Sequence, residues 1–123
     1  MDKQRRKELL ALYRQMKPPM GIFIIKRNDE SKCYIEATQD LKGTMNGTRF
    51  KLDAGNHPNQ ELQKEWSELG DTRFTMEVLE PLDYDKDESK TDYTEDLQVL
   101  KELWEDKLRQ QNMKFYRKSL RKK

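Results

Sequence analysis

The sequence predicts a small α/β (α+β) domain in which a three-stranded antiparallel or mixed sheet is flanked by helices. Three observations predict it. Residues 20–26, 32–37 and 73–79 are short apolar runs of strand length; stripes with helical spacing lie before, between and after them; and 123 residues make one domain, with no room for a second core. The chain is 33% hydrophobic against 39% charged, so the core must be modest and the surface heavily solvated.

Residues 4–16 place Leu9, Leu12, Tyr13 and Met16 near i, i+3, i+4 and i+7, an amphipathic stripe that Pro18 and Pro19 stop. The β-branched run at 20–26, the turn residues Asn28-Asp29-Glu30-Ser31 and the run at 32–37 read as a β-hairpin. Thr38 or Asp40 can then cap a helix that carries Leu41, Met45 and Leu52 and ends at Gly55-Asn56. Asn59 starts the next, with Leu62, Trp66 and Leu69, and Gly70 closes it. The third strand follows, and Pro81 with the acidic stretch after it makes an exposed connection. Leu97, Leu100, Trp104 and Leu108 mark a long last helix, expected to run on through Met113, Tyr116 and Leu120. Trp66 and Trp104 are expected in the core.

The formal net charge of +2 conceals an asymmetry. From Lys107 onward the chain carries Lys107, Arg109, Lys114, Arg117, Lys118, Arg121, Lys122 and Lys123 and no acidic residue, while Asp83, Asp85, Asp87, Glu88, Asp92, Glu95 and Asp96 form an acidic stretch. Such polarity either orients a chain on a polyanion or solubilises two ends of a small protein. There is no apolar run of membrane-spanning length and no secretory leader, so a cytoplasmic protein is expected. The single cysteine, Cys33, fits a reducing compartment and reads as a small strand residue.

Gly21-Ile22-Phe23 on the first strand and Tyr34-Ile35-Glu36 on the second resemble the two tripeptides that name the GIY-YIG nuclease superfamily. The stretch 41–66 resembles the helix, Gly-x-His turn and next helix of phage homing endonucleases and their bacterial relatives. The resemblance covers residues 20–108. It leaves residues 1–19 as an N-terminal helix and linker, and 109–123 as a basic C-terminal helical extension.

The resemblance implies a metal-dependent DNA endonuclease that uses a tyrosine on each hairpin strand, an arginine on the first helix and a glutamate on the last. A hydroxyl can pass a proton, a guanidinium grips phosphate oxygens and a carboxylate suits a hard cation. On this sequence the tyrosine positions fall on Phe23, which lacks the oxygen, and on Tyr34, which keeps it. The glycine of the second tripeptide is Glu36, the arginine position is Thr44 with Thr48 one turn later, and the metal-ligand position is Lys101. Arg49 lies about 140° round the helix from Thr44, at 100° per residue, and reads as a surface residue. Glu105, one turn beyond Lys101, is the fallback ligand.

Tyr34 and His57 therefore remain as candidate catalytic residues, with Phe23, Thr44 and Lys101 as degenerate positions. One lost acid–base group typically costs ~10²–10⁴ in rate and one lost electrostatic stabiliser ~10²–10³. Efficient hydrolysis is not expected, nor a cofactor; Mg²⁺ or Mn²⁺ would be needed by a residual nuclease. His57 reads as a hydrogen-bonding residue at a helix start, with phosphate contact as the alternative.

Three functions follow. The first is a catalytically impaired nucleic-acid-binding protein, contacted through Lys114, Arg117, Lys118, Arg121 and Lys122 with Phe115 and Tyr116 between them for stacking. The second is a protein-interaction or accessory module of phage or mobile-element origin, docking through Met113, Phe115, Tyr116 and Leu120. The third is a residual metal-dependent endonuclease. A concave, positively charged pocket around Tyr34, Thr44 and Lys101 would favour a phosphate site; a filled or acidic one would favour scaffolding.

Overall fold

The structure, a computed structural model, describes residues 2–116, and of residues 10–16 the backbone alone. Its elements are α1 (Lys3–Met16), β1 (Met20–Arg27), β2 (Lys32–Thr38), α2 (Leu41–Ala54), α3 (Gln60–Leu69), β3 (Phe74–Leu82), α4 (Thr94–Gln110) and β4 (Lys114–Phe115). A short 3₁₀ turn, Asp71–Arg73, links α3 to β3. Among the described residues the four helices and three strands expected from the sequence are present, except that the last helix does not run on past Gln110.

The sheet order is β3-β1-β2-β4, with β1 antiparallel to both β2 and β3 and β4 parallel to β2. The expected third strand pairs with the hairpin, and a fourth, two-residue strand is added. β1 is the most apolar strand and is flanked on both sides, which is where a continuous Ile-Phe-Ile-Ile run belongs. Gly21 is required there: a Cβ on it would lie 2.2 Å from the Glu80 carbonyl oxygen of β3, and its φ is +155°. Pro81, opposite Gly21, sits on the edge strand, where no inner hydrogen bond is lost.

Alternation along the strands makes two cores. On one face Phe23 and Ile25 pack against Leu41 and Leu52 of α2 and Leu62 and Trp66 of α3, with Tyr116 closing the end. On the other, Ile22, Ile24, Cys33 and Ile35 receive Leu108 of α4, with Leu100, Trp104 and Met113 packed around them. A third cluster of Met20, Tyr93 and Leu97 anchors the start of α4. Burial pushes the Cys33 thiol up to about 12, so it is an inert core residue.

Asp40 caps α2 by accepting from the Gly43 N–H at 3.0 Å, and Asn59 caps α3 by accepting from the Leu62 N–H at 3.0 Å. The C-terminal expectation is corrected. α4 stops at Gln110, Asn112 takes a left-handed φ of 66°, and the chain turns back to lay β4 beside β2. Asparagine tolerates that conformation, and two cores reward the turn. Met113 and Phe115 pack on the α4 side of the sheet, and Tyr116 is 5% exposed on the other. The Tyr116 hydroxyl donates to Glu65 at 2.7 Å, and Glu65 also accepts from Arg27 and Lys32. Tyr116 is thus a structural residue, while Phe115 is half-buried and lines a surface groove. Leu120, Arg117, Lys118, Arg121 and Lys122 lie outside the described residues.

Candidate functional site

β4 covers β2 only at Lys32 and Cys33. Beyond that point a groove runs between β2, the segment before α3, and the facing helices. Two depressions make it up, of about 400 Å³ on the α4 side and about 300 Å³ on the α2 side, and they share Tyr34, Glu36, His57 and Pro58.

The hairpin register pairs Phe23 with Glu36 and Ile25 with Tyr34, so the pleat turns all four side chains to the same face. Phe23 is fully buried in the core and serves as packing. Tyr34 reaches the groove, where its hydroxyl donates to the Glu36 carboxylate at 2.7 Å. Burial first, and then the negative charge of Glu36, hold the phenol's pKa far above its ordinary value, so this oxygen keeps its proton. Glu36 itself fills space in front of the tyrosine and lines both depressions.

His57 is buried, edge-on to the Tyr34 ring at a centroid distance of 5.2 Å. Its Nδ1 accepts from the Asn59 N–H at 3.0 Å, which leaves the proton of the neutral ring on Nε2. Burial, then the charge of nearby Lys51, push its pKa below the usual value. A neutral imidazole held this way organises the start of α3, and Nε2–H is what the ring has left to offer a ligand.

On α2 the wall consists of Gly43, Thr44, Gly47, Thr48 and Lys51. Thr44 is tied to the end of β2 through a 2.7 Å contact between its Oγ1 and that of Thr38, so its short side chain fixes the helix and contributes no charge. Arg49 points away, to Asp71 at 2.9 Å. On α4, Lys101 and Glu105 both line the groove, 4.0 Å apart, and Arg109 continues the row one turn later with its guanidinium over the Phe115 ring. Lys51 was not singled out in the sequence, and Arg109 only as one of the C-terminal cations. Helical spacing could have found them, since Lys51 is seven residues from Thr44 and Arg109 eight from Lys101.

The groove is therefore formed and concave, with Lys51, Lys101 and Arg109 against Glu36 and Glu105. It does not suit the divalent cation that the resemblance implies. A hard cation takes several oxygen ligands, whereas Glu105 stands beside an ammonium. Among the described residues no group of three His, Cys, Asp or Glu side chains could hold a metal ion. Nor is any described helix long and apolar enough to cross a membrane.

No protein-family model matches the chain, and no curated protein matches it. Two solved structures do. One is the catalytic domain of homing endonuclease I-TevI, at 22% identity and a TM-score of 0.60, covering 80% of this chain and 98% of that one. The other is a point mutant of the catalytic domain of intron endonuclease I-TevI, at 22% identity and a TM-score of 0.56, covering 83% and 97%. The fold is thus GIY-YIG-like.

Proposed function

We propose that this protein binds nucleic acid on the groove around Tyr34 and His57 and does not cleave it by the metal-dependent route of GIY-YIG nucleases. The observation that carries the reading is the groove's charge: three cations from two helices outnumber the carboxylates of Glu36 and Glu105, and the neutral His57 imidazole lines the same cavity. Phosphate oxygens accept from such groups, and positive charge supplies most of non-specific affinity for a polyanion.

The chemistry for hydrolysis is not assembled. The tyrosine in the groove directs its proton at a carboxylate, so it is a poor base, and Phe23 offers no oxygen in its place. Thr44 brings no charge to neutralise the phosphate, and an ammonium, Lys101, lines the groove at the position where the resemblance implies a metal-binding carboxylate. Similarity to a homing endonuclease domain makes DNA the first ligand to try.

The experiment is a binding titration with labelled duplex and single-stranded DNA at low salt. The same samples are incubated with Mg²⁺ or Mn²⁺ and read for cleavage. Salt-dependent binding with intact DNA is expected. Metal-dependent cleavage that Tyr34→Phe abolishes would overturn the reading, and Glu105 would then be the first ligand to substitute.

A further inference from the structure

Lys101 and Arg109 stand eight residues apart on α4, so their Cα atoms are spaced about 12 Å along the helix axis at 1.5 Å per residue, and both side chains line the groove. The Lys101 ammonium is held beside Glu105 and the Arg109 guanidinium over the Phe115 ring, so the two charges are anchored at separate points and suit two phosphates of the same backbone. Glu105 lies between them on the same face, 4.0 Å from the Lys101 ammonium, the outer limit of an ion pair. Its carboxylate therefore weakens the row without saturating Lys101. Opposite, His57 lines the same space with its Nδ1 occupied by the Asn59 N–H, which leaves the proton of the neutral ring on Nε2.

We propose that Lys101 and Arg109 form a phosphate-holding rail whose fixed charges take the electrostatic place of a divalent cation, so that this groove binds the nucleic-acid backbone independently of metal. The inference rests on the nucleic-acid-binding reading and adds how the phosphates are held. In a metal-bridged site, carboxylates and phosphate share a cation, and chelation abolishes the contact. Here the donor set is ammonium, guanidinium and imidazole N–H, and a soluble divalent ion acts only as a competing counterion.

The test uses the full chain and a fluorescent 20-nucleotide DNA, single-stranded and duplex, with anisotropy read in EDTA and in millimolar Mg²⁺. Wild-type affinity should persist in EDTA and weaken in Mg²⁺. Lys101→Met keeps the aliphatic stem and removes the charge; it should lower affinity about 5- to 10-fold at low salt and reduce the logarithmic salt slope by about 1. Lys101→Arg should bind like wild type, and Glu105→Gln should bind more tightly. Circular dichroism confirms that each variant is folded. Wild-type binding that disappears in EDTA and returns with Mg²⁺, or a folded Lys101→Met protein with unchanged affinity and slope, would overturn the rail while leaving nucleic-acid binding in place. Failure of the wild type to bind in either buffer would overturn both.

Discussion

Glu36→Gln should tighten nucleic-acid binding. Glu36 lines both depressions of the groove, and its carboxylate is fixed there by the 2.7 Å hydrogen bond from Tyr34, where it would repel an arriving phosphate. Two unit charges 4 Å apart interact by about 1 kcal/mol in water and about 4 kcal/mol near a protein surface. A phosphate seated farther away in an open, salt-screened groove feels about 1 kcal/mol, or about fivefold in affinity. Glutamine keeps the volume, and its amide oxygen still accepts from Tyr34, so the fold should be unchanged. Anisotropy at two salt concentrations measures the effect, and the gain should shrink as salt rises. A folded variant with unchanged or weaker binding at low salt would show that the phosphates do not lie in this groove.

Tyr116→Phe should lower stability by about 1.5 kcal/mol, or roughly 6 °C in Tm for a chain of this size, because a buried donor to the Glu65 carboxylate is lost while Arg27 and Lys32 remain. An unchanged Tm would mean that β4 is not held as described. His57 has a folded-state pKa below its ordinary value, so the stability it contributes is fully present above about pH 6.5 and is lost as pH falls through the folded pKa. Melting curves between about pH 7.5 and 5.5 should therefore fall more steeply for wild type than for His57→Gln; parallel curves would refute a buried neutral imidazole. Removing residues 117–123 deletes five cations, Arg117, Lys118, Arg121, Lys122 and Lys123, and spares Tyr116. The salt slope should drop by about 0.9 for each tail contact on duplex DNA. An intact fold with an unchanged slope would exclude the tail.

Most of the fold was legible because period, caps and turn residues agreed: the Asn28–Ser31 turn, Asp40 and Asn59 as caps, and the alternation that sends Phe23 and Ile22 to opposite cores. β4 was not. Met113, Tyr116 and Leu120 continue the stripe of α4, and two residues of strand carry no period of their own. The one local signal against helix was Asn112, which adopts the left-handed conformation. In the site, sequence reasoning placed Phe23, Tyr34, Thr44, His57 and Lys101 and grouped three of them around one pocket, but did not foresee the contacts between them. That Glu36 would accept the Tyr34 hydrogen bond follows from their i, i+2 spacing on one strand face. That Lys51 and Arg109 lie near the faces of Thr44 and Lys101 follows from helical spacing, but that the two faces meet at one groove depends on how α2 and α4 pack on the sheet.

The central claim is a groove that holds a nucleic-acid backbone without cutting it. One sample tests both halves: full-length protein with an end-labelled DNA duplex at low salt and Mn²⁺, followed by anisotropy for binding and by denaturing gel for strand length. A bound, full-length strand, released as salt rises, is the predicted result. A shortened strand, or a duplex that stays free at low salt, would contradict it.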